Sequence, residues 1–139
     1  MNVWLLRHGI AERHSADPDA ERQLTEKGRK KLSKRIPEYK KLIGPDPIIW
    51  TSPLTRARQT AEMLASAYGG SEIAEIEALA EGDHESLYHM LKMIDPKRSY
   101  VLVGHEPYLS DFYKVMTDLT IDLKQGALIG FRFPNEFKT

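Results

Sequence analysis

The first residues of the chain place an arginine and a histidine where chemistry on a phosphate is feasible. An apolar run from Val3 to Leu6 ends in Arg7, His8 and Gly9, and Gly9 permits a turn that brings the backbone close to a ligand. A ring nitrogen of His8 can attack phosphorus, while the guanidinium of Arg7 can hold phosphoryl oxygens through two parallel hydrogen bonds. These residue types indicate a phosphate site with a histidine nucleophile, but the same three residues are equally typical of an ordinary loop.

Two later segments supply a second arginine and a second histidine. Ser52 is a suitable N-cap and Pro53 suits the first position of a helix, so Arg56 lies one turn into that helix and can reach over its N-terminal end. There the helix dipole and the cation together favour an anion, although Arg56 taken alone is typical of a plain surface arginine. The apolar run that ends at Gly104 and His105 repeats the opening pattern of the chain.

Short apolar strands alternate with amphipathic helices, and this alternation positions those segments. The predicted strands lie near residues 3–6, 47–50, 72–76, 100–103 and 127–133, and the predicted helices begin after Thr25, Ser52, Asp83 and Pro107. Such alternation is typical of an α/β protein with a mostly parallel sheet. Because parallel strands end at one edge of the sheet, we expect the two arginines and the two histidines to meet there.

The first predicted helix carries both an apolar stripe and a basic face. Thr25 is a suitable N-cap, and apolar residues at helical spacing, from Leu32 to Ile43, give a buried stripe. Pro37 falls inside this pattern and is expected to kink the helix or restart it. The basic run from Lys27 to Lys41 is more typical of a solvated helix face than of a nucleic-acid patch.

The composition of the chain excludes several classes of protein. The 139 residues fit one domain over positions 1–139, and 20 basic against 20 acidic residues give a net charge of zero, so no global field draws the chain to nucleic acid or a membrane. There is no cysteine, which excludes a thiol nucleophile and a cysteine-ligated zinc. No apolar run is long enough to span a membrane, so a soluble cytoplasmic domain is expected.

The polar segment from Ile10 to Gln23 is predicted to be a long loop over the mouth formed by His8. Within it, His14 can in principle join His8 as a metal ligand, but no further ligand follows at a recognisable spacing, so no metal site is expected. His84 and His89 lie off the apolar stripe of their helix and are expected at the surface. Residues 135–139 are expected to form a frayed tail.

Four pieces of the sequence, in this order, resemble the histidine phosphatase superfamily, whose fold is phosphoglycerate mutase-like. They are Leu6–Gly9, Leu24–Gly28, Ser52–Thr60 and Gly104–Pro107; each is weak alone, and together they are specific. The chain most resembles the small phosphohistidine phosphatases of the SixA type. The resemblance implies a three-layer α/β/α sandwich with a mostly parallel central sheet, and a reaction that needs no cofactor.

The same resemblance implies roles for individual residues. In this family the residue at the position of His8 becomes phosphorylated, and the residues that match Arg7, Arg56 and His105 hold the phosphoryl group. Larger relatives carry a glutamate acid in a Leu-x-Glu piece, which Glu81 and its neighbours match, although SixA-type members need not have it. Glu81 is therefore the candidate acid, or the base for water, with a solvated loop glutamate as the alternative.

The expected reaction has two steps. Neutral His8 attacks phosphorus while Arg7, Arg56 and a protonated or donating His105 compensate the charge, and water then hydrolyses the phosphohistidine. The expected substrate is phosphohistidine in a protein. The alternatives are a phosphatase of small phosphate esters, a catalytically silent protein that binds a phospho-ligand, and a metallohydrolase. The short chain disfavours a mutase and indicates an open site, and nothing in the sequence indicates the oligomeric state.

Overall fold

A computed structural model describes residues 1–13 and 18–133. Two of the sequence predictions, the role of His14 and the frayed tail at residues 135–139, lie outside the described residues. The described elements, in chain order, are β1 (Asn2–Arg7), α1 (Glu26–Ile43), β2 (Ile48–Thr51), α2 (Thr55–Ala67), β3 (Ile73–Glu75), α3 (Glu77–Glu81), α4 (His84–Lys92), β4 (Tyr100–Gly104), α5 (Tyr108–Thr117) and β5 (Leu128–Arg132), with a 3₁₀ turn at Asp19–Glu21.

The five strands form one mixed sheet in the order β3-β2-β4-β1-β5. Three of its pairings, β1 with β4, β4 with β2 and β2 with β3, are parallel, and β5 runs antiparallel to β1. In the parallel register Arg7 lies opposite Gly104 and Thr51 opposite Val103. The residues that follow β1, β4 and β2 therefore emerge side by side at one edge, and the predicted mostly parallel α/β sheet is confirmed.

Helices cover both faces of the sheet. On one face Leu6, Val101 and Val103 pack with the buried sides of α1 and α2. On the other face Leu5 and Leu102 pack with the buried sides of α3, α4 and α5. Alternate residues of one strand point to opposite faces, so β1 and β4 are apolar on both sides, as the continuous apolar runs predict. The three-layer sandwich is confirmed.

The first helix begins as predicted but does not break. The Thr25 hydroxyl caps α1 by accepting a hydrogen bond from the Gly28 N–H. Pro37 lies inside α1, which continues as one helix to Ile43, so the prediction of a restart is wrong. Pro37 is exposed, and the hydrogen bond that it cannot donate belongs to the solvent side of the helix. The basic face of α1 is exposed, as predicted.

Two local predictions in the middle of the chain are wrong. Ser52 does not cap α2, because that helix begins at Thr55 with Leu54 in the N-cap position; Ser52 is fully buried instead. The stretch around Glu81, predicted to be rich in turns, contains the helix α3, which ends at Gly82 with a left-handed φ of 69°. That conformation suits a residue without a Cβ and closes a short helix.

Within the described residues, no helix is both long enough and apolar enough to cross a membrane.

Candidate active site

The two predicted imidazoles meet at the edge where β1 and β4 end. His8 follows β1, and its backbone N–H donates to the Gly104 carbonyl of β4 at 3.1 Å. The ring centroids of His8 and His105 lie 5.1 Å apart with an interplanar angle of 56°. Both residues are buried, at 6% and 7% exposure. The parallel register thus brings together two histidines that lie almost a hundred positions apart in the sequence.

One ring nitrogen of His8 is left with a free lone pair. Nδ1 lies 2.7 Å from the Gly9 carbonyl oxygen, and a carbonyl only accepts, so Nδ1 carries the proton and donates. The pKa of His8 is lowered to about 4, mainly by burial and also by the cations Arg56, Arg7 and Arg22, against the opposing effect of the hydrogen bond to Gly9. The ring is therefore neutral at pH 7, with the lone pair on Nε2.

The turn that carries His8 is tied to α2. The Gly9 N–H donates to the hydroxyl of Thr60 at 3.1 Å, and that hydroxyl donates to the Arg56 carbonyl at 2.8 Å. A Cβ on Gly9 would lie 2.7 Å from a methyl carbon of Leu32 in α1, so a larger residue here would displace that side chain. Thr60 is the last residue of the segment Ser52–Thr60 that resembles the family, but the sequence predicted no role for it.

Arg7 is held by the segment that leads into β5. Its Nη1 donates to the Leu123 carbonyl at 2.9 Å, while the Gly126 N–H lies 3.1 Å from the carbonyls of both Arg7 and His8. The first contact orients the guanidinium, and the other two hold the backbone of Arg7 and His8. The Nε of Arg7 is buried and has no hydrogen-bond partner in the described part of the chain.

Arg56 is a buried residue of the site and not a surface arginine. It is the second residue of α2 and is 7% exposed. Its Nη1 donates to the Asp19 carbonyl at 2.8 Å, and its Nη2 lies 3.5 Å from the Asp19 carboxylate. The Arg56 guanidinium and the neighbouring Arg22, which pairs with the same carboxylate at 2.9 Å, hold the pKa of Asp19 below its usual range. Sequence reasoning did not single out Asp19 or Arg22.

The ring of His105 is hydrogen-bonded to a serine. Its Nε2 lies 2.7 Å from the hydroxyl oxygen of Ser52. The pKa of His105 is lowered to about 3, mainly by burial and also by the neighbouring His8 and Arg56. Of the two states left open by the sequence, a protonated ring or a neutral donor, the structure favours the neutral donor.

Three buried nitrogen atoms of these residues have no hydrogen-bond partner in the described part of the chain. They are Nε of Arg7, Nε of Arg56 and Nδ1 of His105. Arg7 and Arg56 are close enough to lower the pKa of both imidazoles. Buried donors that stay unpaired are destabilising, and the acceptor oxygens of an anion are suitable partners for such donors. Arg7, Arg56 and His105, which we call the cradle, thus form a group of potential anion-binding side chains near the neutral ring of His8.

Glu81 has no described contact with the cradle. It is exposed at the end of α3, and its carboxylate makes no hydrogen bond or ion pair in the described residues. The next residue, Gly82, packs so closely on the Tyr108 ring of α5 that a Cβ would lie 2.5 Å from it, so Glu81 lies on the same side of the sheet as α5. Its role as acid stays a prediction.

The remaining candidates have other surroundings. His89 is exposed, while His84 is half-buried with its Nε2 3.1 Å from the Tyr108 carbonyl. Arg58 pairs with Glu75 at 3.7 Å on the surface. Within the described ranges, no three histidine, aspartate or glutamate side chains are grouped so that they could hold a metal ion.

This combination of fold and site defines a class of protein. Residues 3–105 match the family model of the histidine phosphatase superfamily (branch 1), and the chain belongs to that superfamily. It is also similar to an uncharacterized protein of Picosynechococcus, with 34% identity over 142 residues that cover 95% of this chain and 85% of the relative.

Solved structures share the fold at low sequence identity. The protein histidine phosphatase SixA complexed with tungstate is similar with a TM-score of 0.82 and 20% identity, covering 94% of this chain and 86% of that one. A mutant phosphoserine phosphatase from Entamoeba histolytica in complex with phosphoserine has a TM-score of 0.74 and 16% identity, covering 96% and 91%. The predicted phosphoglycerate mutase-like fold and the family resemblance are both confirmed.

Proposed function

We propose that this protein is a phosphatase that removes the phosphoryl group from phosphohistidine in a protein, through a covalent intermediate on His8. The observation that carries the proposal is the lone pair on His8 Nε2, in a ring that lies 5.1 Å from the ring of His105 and close enough to Arg56 and Arg7 for both cations to lower its pKa. A phosphoryl group has three oxygens that can accept hydrogen bonds from guanidinium and imidazole N–H groups, and its phosphorus is the electrophile that a neutral imidazole attacks.

In the first step Nε2 of His8 forms a bond to phosphorus, and the bond between phosphorus and the leaving ring nitrogen breaks. The electron pair of that bond stays on the leaving imidazole, whose other nitrogen has taken a proton from water, so the leaving group departs neutral. The donors on Arg7, Arg56 and His105 stabilise the charge on the equatorial oxygens of the transition state. Because Nδ1 of His8 donates to the Gly9 carbonyl throughout, the ring keeps its orientation.

In the second step a water oxygen attacks the phosphorus of the phosphorylated His8. The P–Nε2 bond breaks, its electron pair returns to Nε2, and the water protons leave with inorganic phosphate or pass to solvent. The low pKa of His8 supports this cycle, since the ring returns to its neutral form at pH 7. No metal or organic cofactor enters either step.

The position of Glu81 supports a phosphohistidine substrate. An alkoxide leaving group needs a proton from an enzyme acid, but an imidazole leaving group that is already protonated on its second nitrogen does not. Glu81 is exposed and makes no described contact with the cradle, so a leaving group that needs no acid fits best. The SixA neighbour, described as a protein histidine phosphatase, supports the same substrate class.

A second candidate is a phosphatase of small phosphate esters, favoured by the fold neighbour that is complexed with phosphoserine. We propose that this activity is the weaker one, for the reason just given. A catalytically silent phospho-ligand binder is disfavoured because the nucleophile, both arginines and His105 are all present and buried or half-buried at one edge. A cytoplasmic location is part of the proposal, on the lack of cysteine.

Rapid quenching with a phosphohistidine peptide tests the proposal. The wild-type protein should accumulate an acid-labile, base-stable phosphate that mass spectrometry locates on His8 and nitrogen NMR assigns to Nε2. His8→Ala should lose labelling and lower turnover by at least about a thousandfold. His89→Ala, which removes an exposed imidazole, is the matched control and should label normally.

The same assay separates the candidate functions. A kcat/KM that is higher for the phosphohistidine peptide than for p-nitrophenyl phosphate supports the proposed substrate, and the reverse order supports the ester phosphatase. Tight binding of phosphate without any label or turnover would leave only the silent binder. Wild-type activity in His8→Ala would remove the covalent mechanism altogether.

A further inference from the structure

Helix α1 has a large excess of basic over acidic residues. It contains eight basic residues and two acidic ones, a net charge of +6, in a protein whose net charge is zero. The rest of the molecule is therefore net negative by the same amount. Such a separation makes one side of the molecule attractive to an acidic partner although the whole molecule has no net field.

The cations of α1 reach the loop that follows the nucleophile. A cleft of about 200 Å³ is lined by Gly9 on one side and by Lys31, Arg35 and Lys124 on the other. Lys31 also lines a neighbouring depression, together with three further lysines of the helix, Lys27, Lys30 and Lys34. The basic surface is thus continuous from the turn after His8 along two turns of α1.

Most of these charges have no local counter-ion. Among the described residues Lys30 pairs with Glu26 at 3.4 Å, with both side chains largely exposed, and Glu38, the second acidic residue of α1, follows Lys34 by one turn and is exposed. Lys27, Lys31 and Lys34 are exposed and make no ion pair in the described chain. They stand three and four residues apart, a spacing at which like charges destabilise a helix. The helix therefore retains a repulsion that an acidic ligand would relieve.

We propose that Lys27, Lys31 and Lys34 of α1, with Lys124 beside them, form a docking surface for an acidic face of the protein substrate. This proposal rests on the proposed function, because the docked partner is the protein that presents a phosphorylated side chain to His8. The three helix lysines span about 10 Å along the helix axis, a distance that matches acidic residues on two turns of a partner helix. Docking there would raise the local concentration of the phosphoryl group at the cradle.

An acidic protein fits this surface better than a nucleic acid. The cleft that holds Lys31 and Lys124 is also lined by Gly9, the residue after His8, so a protein held there lies next to the turn that carries the nucleophile. A nucleic acid would use the same lysines without presenting a phosphohistidine, and its long phosphate backbone would meet the net negative remainder of the molecule. Nucleic-acid binding is therefore the competing outcome of the test.

Two phosphohistidine peptides of equal length test the docking surface. One carries glutamates on both sides of the phosphohistidine, and the other carries glutamines. The variant K27Q/K31Q/K34Q should lower kcat/KM for the acidic peptide by about tenfold at low salt, mainly through KM. It should change kcat/KM for the glutamine peptide and for p-nitrophenyl phosphate by less than about twofold, and its effect on the acidic peptide should vanish in concentrated salt.

The matched control is K92Q/K97Q/K114Q, which removes the same charge from exposed lysines of α4, α5 and the turn after α4. These helices pack on the other face of the sheet. The control should leave all three substrates within about twofold of wild type. An equal loss with both peptides, or an equal loss in the control variant, would overturn the proposal.

A binding measurement separates docking from catalysis. Fluorescence anisotropy with the unphosphorylated acidic peptide should show binding that K27Q/K31Q/K34Q weakens and the control variant does not. If no phosphohistidine peptide is hydrolysed, the proposed function is wrong. The binding measurement still shows whether the lysines form a docking surface. Tighter lysine-dependent binding of a DNA duplex of equal charge, or no binding of the peptide at all, would overturn the docking proposal.

Discussion

The hydroxyl oxygen of Ser52 lies 2.7 Å from Nε2 of His105, and both residues are buried. The same oxygen accepts a hydrogen bond from the Leu54 N–H at 3.2 Å. Among the described residues the Ser52 proton has no acceptor other than His105, so the hydroxyl donates to Nε2. His105 must then carry its own proton on Nδ1, which is the unpartnered donor of the cradle. Ser52 is a positioning residue that sets the tautomer of His105.

Replacing Ser52 with alanine should therefore damage the cradle without touching the substrate. In Ser52→Ala the proton of His105 is free to move to Nε2, and we expect a roughly tenfold loss of kcat/KM, about the value of one hydrogen bond to a charged group. Nitrogen NMR of the labelled imidazole should show a change from Nδ1–H toward Nε2–H. The control is Thr51→Val, which removes a neighbouring buried hydroxyl whose hydrogen bond in the described chain goes to the Ser52 carbonyl. A wild-type tautomer in Ser52→Ala would show that Ser52 is not the cause.

The buried imidazoles should make stability depend on pH above the range where carboxylates titrate. In the folded protein burial lowers the pKa of His8 to about 4 and that of His105 to about 3, while an unfolded histidine takes up its proton near pH 6.5. Between pH 7 and 5 the unfolded chain thus binds more protons than the native state, so the free energy of unfolding falls as the pH falls. Each imidazole contributes a slope of up to about 1.4 kcal/mol per pH unit.

Urea unfolding at pH 7 and pH 5 measures this slope. The wild-type protein should lose stability across the interval, and the double variant H8N/H105Q should lose much less, because neither site then takes up a proton on unfolding. NMR titration of the two rings gives an independent reading, with both expected to stay neutral at pH 5. A protonated His8 or His105 at pH 6 would contradict the environment described here.

The meeting of the two histidines was predictable because one rule governs it. Parallel strands end at one edge, and an apolar run marks each strand, so placing His8 after β1 and His105 after β4 required only the alternation of strands and helices. Arg56 followed from its position in the first turn of a helix at the same edge. These inferences depend on backbone periodicity, which a sequence displays directly.

The contacts that tune the site were not predictable, for physical reasons that differ from case to case. Ser52 was assigned to a helix cap because a serine before a proline suits that role, and the same hydroxyl can equally well bond a distant ring. The hydrogen bond from Arg7 to Leu123 is accepted by a backbone carbonyl. Every residue has such a carbonyl, so residue types do not predict this contact. Asp19 lies in a polar loop whose path follows from tertiary packing alone.

The carboxylate of Asp19 should weaken phosphate binding. It lies 3.5 Å from Nη2 of Arg56, so it competes with an incoming phosphoryl group for the same cation and repels its negative charge. Asp19→Asn keeps the shape of the side chain and removes the charge, and we expect inorganic phosphate or tungstate to inhibit about fivefold more tightly, the effect of roughly 1 kcal/mol at this separation in a solvated site.

Calorimetry and inhibition constants check this expectation at constant ionic strength. Asp46→Asn is the matched control, because Asp46 forms a similar exposed pair with Arg98 at 3.4 Å on a loop that contributes nothing to the cradle. The control should bind phosphate like the wild type. Weaker phosphate binding in Asp19→Asn would mean that Asp19 supports the geometry of Arg56 more than it opposes the ligand.

Glu81 provides a test of the leaving group. If Glu81 supplies a proton to the departing oxygen of an ester, Glu81→Gln should lower kcat for p-nitrophenyl phosphate only slightly, because nitrophenolate leaves without protonation, and should lower it by at least about tenfold for a phosphoserine peptide. The phosphohistidine peptide should lose less than about threefold, since its imidazole takes its proton from water. Glu77→Gln, at the other end of the same short helix and also exposed, is the control for a change of charge on α3. Equal losses for all three substrates would assign Glu81 to the activation of water in the second step, which every substrate shares. No loss for any substrate would identify Glu81 as a solvated side chain.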